Sequence, residues 1–333
     1  MSLNTTIVSK GDESARLCQL SIGKKVLATP TYFPAISGAK SRIPFDQLFA
    51  FLANNEFPRI LISSYDFSKL NDNAKKDLVS SFTSYTEKGN FLFLDSGGYE
   101  SYWLRDLTWN FDLYQGSVEK IDSDFYTSYD YSPNTPDNVT KFEDAVSSID
   151  KSKGLSKNSQ FIPIIHGERP KDVVNNLEKF LKLKECACHM VAIPERDCGL
   201  LLSQRAKTVL ELRRVLNESD EKIILHLLGC GHPVSMAIYA YCGADSFDSI
   251  DWMRLFINRD TLAINSHSNS ELVNCKCLIC SKTYQDQYEK ILLHNLVFYQ
   301  DYVLQIQKMI KRNTLKDFLI QHVGLEFLKE LKT

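Results

Sequence analysis

The sequence lacks any long apolar run. No stretch approaches the roughly 18 consecutive apolar residues of a membrane-spanning helix, so no membrane contact is expected. The opening "MSLNTTIVSKGDESARL" holds no apolar core of a signal peptide, and none is expected. Charge of one sign is also scarce. Lys and Arg number 39 against 41 Asp and Glu, a net charge of −2. No global basic field announces a nucleic-acid partner, and any such surface must be local. Two local candidates, Lys308 to Lys316 and Arg205 to Arg214, read as solvated helix faces. There is no repeat of short period and no low-complexity tract. The nine cysteines do not form the pattern of a secreted disulfide framework. Three of them crowd into "CKCLIC", which favours a metal in a reducing, cytoplasmic setting.

What is present is ordinary globular composition, 44% hydrophobic and 24% charged. That supports a sizeable core, in one large domain or two medium ones. Eight short apolar runs recur, beginning near residues 30, 59, 91, 124, 160, 189, 222 and 245. Runs that apolar read as strands buried on both faces of a parallel sheet. Amphipathic stretches at 45–54, 72–88, 137–150, 170–184, 201–217 and 232–242 lie between them. Asp137, Lys171–Asp172 and Pro233 sit near helix starts. Eight strand–helix units predict an α/β fold, a (β/α)8 TIM barrel over 30–255. A doubly wound open sheet is the competing arrangement. Residues 1–29, with the alternating "CQLSIGKKVLATP", predict a hairpin region ahead of the barrel. The stretch 99–123 breaks the pattern and reads as an insertion over the mouth. Residues 256–333 read as a metal-pinned helical appendage, with a long helix over 285–311 and a short one over 314–331.

Chemistry in such a barrel collects at the C-terminal ends of the strands. The proposed strands deliver Asp95, Asp130, His166–Gly167, Glu195, Gly229, Gly231 and Asp248 to that rim. Clustered carboxylates in a partly dry site cost several kcal/mol unless paired, so the set calls for a reason beyond helix capping. Ser96, Gly97 and Gly98 follow Asp95 in "FLFLDSGGYES". The glycines offer open backbone and room for a ligand, and Tyr99 offers a flat ring. Carboxylate, open backbone and aromatic face together suit a planar heterocycle such as a purine.

The Cys-X-Cys-X2-Cys loop places Cys275, Cys277 and Cys280 together, and His294 follows fourteen residues later. Three sulfurs and one nitrogen suit a closed, structural Zn2+ site. His267 competes for the fourth position; His294 is preferred. Cys186, Cys188 and Cys198 read as buried or incidental.

With these landmarks in order, "ATPTYFPAISG", "FLDSGGYES", "GCGHPVSMAIYAYCGADSFDS" and "CKCLIC…HN", the chain resembles the tRNA-guanine transglycosylases over most of its length. The resemblance implies a zinc-bearing (β/α)8 barrel that exchanges guanine in nucleic acid for a 7-deazaguanine such as preQ0. It implies Asp248 as nucleophile, Asp95 as general acid/base and Asp130 as a reader of the guanine edge. Tyr99 would stack on the base with Leu228 on the facing side, and Cys275, Cys277, Cys280 and His294 would hold the zinc. Members of this family often pair through the zinc lobe, so a homodimer or an accessory protein is a candidate partner.

Four departures stand out. His166–Gly167 replaces the usual Gln-Gly. "VAIPERD" replaces a glycine-rich loop, and Pro194 has no N–H to give, which leaves Glu195 as the candidate ligand there. "SIDWMRLFINRD" lacks the Leu-Pro-Thr-Arg stretch after the nucleophile. The spacing from Cys280 to His294 is short. The last two touch surfaces that would hold tRNA while the base-exchange core is kept, a combination that resembles the divergent bacterial and phage branch that acts on DNA, so DNA is favoured over tRNA as partner. A tRNA enzyme, a non-catalytic binding subunit and a nucleoside hydrolase are the alternatives.

Overall fold

A computed structural model describes residues 3–130, 142–183, 188–272 and 275–331. All eight expected strands form: β4 (Thr31–Pro34), β5 (Arg59–Ser63), β6 (Phe91–Asp95), β7 (Phe125–Thr127), β8 (Gln160–Ile162), β9 (Met190–Pro194), β10 (Ile224–Leu228) and β11 (Ser246–Ser249). They pair in parallel as two arcs, β4-β11-β10-β9 and β5-β6-β7-β8. Single parallel bridges, Ala35 to Leu61 and Ile164 to Ala192, join the arcs at both seams. The ring is therefore closed, and the open-sheet alternative is excluded.

Strand parity divides the apolar residues into two sets. Phe33, Leu61, Phe93, Phe125, Ile162, Ala192 and Ile224 pack inside the barrel. Tyr32, Ile62, Leu94, Tyr126, Val191, Leu225 and Phe247 face the surrounding helices. Between barrel strands run α1 (Phe45–Asn54), α2 (Ser64–Ser68), α3 (Asp72–Glu87), α4 (Gly98–Leu104), α5 (Phe111–Val118), α6 (Phe142–Ser152), α7 (Pro170–Lys182), α8 (Leu202–Asp220) and α9 (Pro233–Tyr241). Helices α4 and α5 are the elements in the stretch expected to be an insertion. Pro170 and Pro233 occupy first helical turns, where a missing N–H costs nothing. Asp137, the expected start of α6, lies outside the described residues, as do the end of the fourth expected strand and Cys186.

The N-terminal hairpin is β2 (Arg16–Ile22) and β3 (Lys25–Thr29), antiparallel as expected. A further strand, β1 (Leu3–Lys10), extends it into a three-stranded sheet. Its polar alternation hid it in the sequence. Cys18, Leu20, Ile22 and Leu27 pack into the barrel interior and close its floor. The join is electrostatic as well. Arg16 makes a two-pronged contact with fully buried Asp245, at 2.7 Å on each oxygen, and Arg213 adds a 2.6 Å contact. Asp245 also accepts the Leu225 N–H at 2.8 Å. Arg213 is thus fully buried, not solvated as the Arg205 to Arg214 stretch suggested. Arg214, by contrast, is exposed and paired with Glu211 and Glu218.

After β11 come α10 (Asp251–Arg254), β12 (Leu255–Ile257), β13 (Ile264–Ser266) and the long α11 (Gln287–Arg312). One face of α11, including Leu292, Leu296, Tyr299, Val303, Ile306 and Ile310, is buried. Tyr299 stacks on Tyr32 of β4 at 4.0 Å and donates to the Gly231 carbonyl. The expected final helix is two, α12 (Leu315–Val323) and α13 (Leu325–Glu330). Gly324, at φ 81°, separates them in a conformation that a helix cannot continue. Among the described residues no helix is long and apolar enough to cross a membrane.

Candidate active site and metal centre

Inward parity runs up each strand to the rim. Phe91 and Phe93 point inward, so Asp95 does too. On β10 the inward series is Ile224, His226, Leu228, and on β11 it reaches Asp248. Asp95 and Asp248 line the same cavity of about 280 Å3. That is near the small end of ligand sites, about 300 to 1,000 Å3. Asp130, Tyr99, Glu195, Leu228 and Gly229 line it as well.

The two central acids have different surroundings. Asp248 is buried, and its Oδ1 takes the Gly229 N–H at 3.1 Å and sits 3.2 Å from His226 Nε2. His226 is fully buried on a floor of phenylalanines, with Phe93 at 5.2 Å. Its Nδ1 lies 2.8 Å from the Ser246 hydroxyl. An Nε2–H tautomer donates to Asp248 and accepts from Ser246, which satisfies both rings of contacts. His226 was not singled out from the sequence; the signal was its parity, in phase with Leu228. Asp95 accepts backbone N–H groups of its own turn, that of Gly97, 3.1 Å from Oδ2, and that of Ser96. Burial pushes its carboxyl up to about 7, the Gly97 N–H opposes this, and the charges of Asp248 and Asp130 add to it.

The glycine pair has a packing cause. Gly97 sits at φ 82°, and a Cβ there would lie 2.5 Å from Tyr65 Cβ. A Cβ on Gly98 would fall 3.0 Å from Asp130 Oδ2. The space expected for a ligand is thus filled by Tyr65 and Asp130. Ser96 is buried, and Ser96, Gly97 and Gly98 do not line the cavity.

His166 is not on the cavity wall either. It lies between two carboxylates, with Nε2 3.0 Å from Asp130 Oδ1 and Nδ1 2.9 Å from Asp197 Oδ2. The Asp130 contact is an ion pair without hydrogen-bond alignment. Burial opposes a charged imidazole here, but the two aspartates outweigh it and raise His166 to about 10. Asp130 responds in kind: burial alone would raise it, and His166 with Arg196 holds it below the usual carboxylate range. His166 therefore holds Asp130 from behind the cavity wall. Gly167 serves packing, since a Cβ there would lie 2.3 Å from the Val173 nitrogen at the start of α7.

Glu195 does reach the cavity, with Oε1 held by the Tyr239 hydroxyl at 2.8 Å and Arg205 at 3.0 Å. Two lining acids, Glu100 and Asp251, escaped the sequence reading. Glu100, on α4, is buried, accepts from Ser63 Oγ at 2.7 Å, and is pushed up to about 8 by burial and the nearby Asp66 and Asp95. Its signal was position: the glycine turn that precedes α4 folds its first turn back beside Asp95. Asp251, Arg254 and Arg196 complete the mouth.

At the other end of the chain, Cys275, Cys277, Cys280 and His294 bring their ligand atoms within 4.8 Å of one another. His294 Nδ1 lies 3.8, 3.4 and 3.2 Å from the three sulfurs. His267 is elsewhere, with Nε2 against the Leu255 carbonyl.

Comparison with known proteins gives the family of the chain. The family model described as queuine tRNA-ribosyltransferase matches residues 12–324. The chain belongs to that family. Similar proteins include the tRNA-guanine(15) transglycosylase of Pyrobaculum aerophilum, 21% identical over 94% of this chain and 65% of the relative. Those of Nanoarchaeum equitans and Saccharolobus solfataricus are 20% and 24% identical, over 93% and 92% of this chain. The chain spans 75% of the first of these and 64% of the second.

The queuine tRNA-ribosyltransferase fold accounts for the closed barrel and for a metal-type cluster near the C-terminus. The cluster fits a tetrahedral ion. Bonds of about 2.3 Å to sulfur and 2.05 Å to nitrogen place the two roughly 3.6 Å apart, against the 3.2–3.8 Å observed. His294 Nε2 lies 2.8 Å from the Ile257 carbonyl, an outer partner that leaves Nδ1 free to ligate.

Proposed function

We propose that the chain is a guanine transglycosylase acting on nucleic acid, with DNA favoured, and that it inserts a 7-deazaguanine. The reading is carried by one observation: Asp95 and Asp248 line one cavity with unlike hydrogen-bond partners. Asp248 attacks the anomeric carbon. The C1′–N9 bond breaks as the C1′–O bond forms, and Asp95 gives its proton to the leaving guanine. The incoming base then returns a proton to Asp95, displaces the carboxylate and restores the original configuration. An acid near neutrality suits both halves of this exchange. Asp130, kept ionised by His166, reads the donor edge of the base, with Tyr99 and Leu228 against its faces. Glu195 is the candidate contact for the incoming base. The base must first leave its stack, at a cost of a few kcal/mol. Zinc is the metal assigned to Cys275, Cys277, Cys280 and His294, where it would tie the loop after β13 to α11.

The preference for DNA rests on the missing Leu-Pro-Thr-Arg stretch after Asp248 and on the short spacing from Cys280 to His294. A tRNA substrate is the second reading, and the names of the relatives favour it. Incubation with labelled guanine and either tRNA or DNA separates the two. Incorporation into neither polymer overturns the exchange reading, and base release without replacement identifies a hydrolase. Asp248→Asn is expected to abolish both exchange and the covalent protein–nucleic acid adduct; a persisting adduct removes Asp248 as nucleophile.

A further inference from the structure

We propose that the exposed aromatic face of α4 is a stacking platform for an unpaired base beside the exchanged guanine. The favoured polymer is then single-stranded or looped at the target, not fully paired. This rests on the base-exchange reading and adds the conformation of its substrate.

Helix α4 starts at Gly98, just past Asp95. Its first turn puts Tyr99 on the cavity and Glu100 beside it. Its second turn faces outward: Tyr102, Trp103 and Leu104 are 49%, 51% and 51% exposed, and Leu107 beyond it is 78% exposed. A contiguous exposed apolar stretch marks an interaction surface. Its occupant is indicated by what surrounds it. The Trp103 ring is 6.1 Å from that of Tyr99, so aromatic surface continues from the cavity outward. Tyr102 braces Trp103 edge-on at 5.7 Å. Lys40 Nζ lies 3.9 Å over the Trp103 ring, and the exposed Arg196 and Arg254 stand at the cavity mouth. Aromatic rings flanked by cations match a base and its phosphates. An apolar partner surface would bury Lys40 without a counter-charge. A base inside a duplex has both faces stacked already, whereas an unpaired neighbour has a face to give.

Trp103 supplies its own probe. Of the three tryptophans, Trp109 is 7% exposed and Trp252 0%. The full chain is titrated with a guanine-containing single-stranded oligonucleotide and with the same sequence as a perfect duplex, at one fixed salt concentration. The single strand is expected to quench Trp103 emission and to bind more tightly than the duplex. Trp103→Ala is expected to weaken single-strand binding by roughly 5- to 150-fold, the worth of one stacked base, and Trp103→Phe to retain most of it. The loss falls on the KM for polymer and not on the KM for free guanine. Unchanged emission at saturation, unchanged affinity in Trp103→Ala, or tighter binding of duplex overturns the platform. So does an emission change that follows protein concentration alone, which assigns the face to a second copy. If the wild type incorporates no guanine while Trp103 still reports single-strand binding, the exchange reading fails and the platform stands.

Discussion

Asp95→Asn should make the protein more stable, and more so at high pH. A carboxyl whose folded pKa lies above its unfolded value resists ionisation in the fold. Its penalty is absent below the unfolded pKa and complete above the folded one. For Asp95 the window runs from the ordinary 3.8 up to about 7. At 1.36 kcal/mol for each tenfold in proton affinity, the full penalty is about 4 kcal/mol. By pH 5 about 2 kcal/mol of it has developed; by pH 8 essentially all has. Asparagine keeps a carbonyl to accept the Gly97 N–H but carries no charge, so it escapes the penalty. For a chain of this length, unfolding entropy near 2.1 cal/mol/K per residue converts about 4 kcal/mol into roughly 6 °C of melting temperature. The assay is paired thermal melts of parent and variant at pH 5 and pH 8, with base exchange measured alongside. The expected result is a stabilised, inactive variant whose advantage grows about 2.5-fold between the two pH values. An advantage that is absent at pH 8, or equal at both, refutes the claim that burial raises Asp95.

Other perturbations test other parts of the structure. Gly97→Ala places a side chain at φ 82° and 2.5 Å from Tyr65; backbone strain alone costs about 1–3 kcal/mol, and a variant that melts like the parent contradicts the placement. Asp245→Ala leaves Arg16 and Arg213 buried without a counter-charge, so urea unfolding should register a loss of about 3–5 kcal/mol. A chelator should strip one metal ion per chain and lower the melting temperature, because His294 lies on α11, which packs along the barrel. Metal analysis with melting in the same samples checks this, and removal of the ion without any change in melting argues against a structural site.

The sequence carried the barrel because parallel strands buried on both faces are spelled in near-continuous apolar letters, as in "RILIS" and "FLFLD". It carried the ligand loop because Cys-X-Cys-X2-Cys is local. It failed where the deciding partner is distant. Nothing near Gly97 announces Tyr65, and nothing near Arg213 announces Asp245, thirty-two residues away and fully buried beside it. His166 shows the same limit. Its position at a strand end pointed toward a ligand, and only the folded chain brings Asp130 and Asp197 to its two nitrogens. Strand β1 was lost because a floor strand with one wet face alternates too weakly to stand out among barrel strands.

The unlike settings of the two central acids follow from where their partners come from. Asp248 sits before the end of β11, and its neighbour β10 supplies both His226, from inside the barrel, and the Gly229 N–H, from the turn above. His226 packs on the aromatic floor and Gly229 directly follows the same strand, so the carboxylate is held before any substrate arrives. Asp95 ends β6, and the backbone N–H groups it accepts, from Ser96 and Gly97, come from its own turn. Its neighbour β5 presents Ser63 at the same level, and that hydroxyl is already given to Glu100. A group with two negative neighbours and little water keeps its proton more easily than the usual aspartate. The barrel thus separates a fixed carboxylate from an exchangeable proton by the partners that each strand position supplies, an imidazole and a backbone N–H for Asp248 and the backbone of its own turn for Asp95.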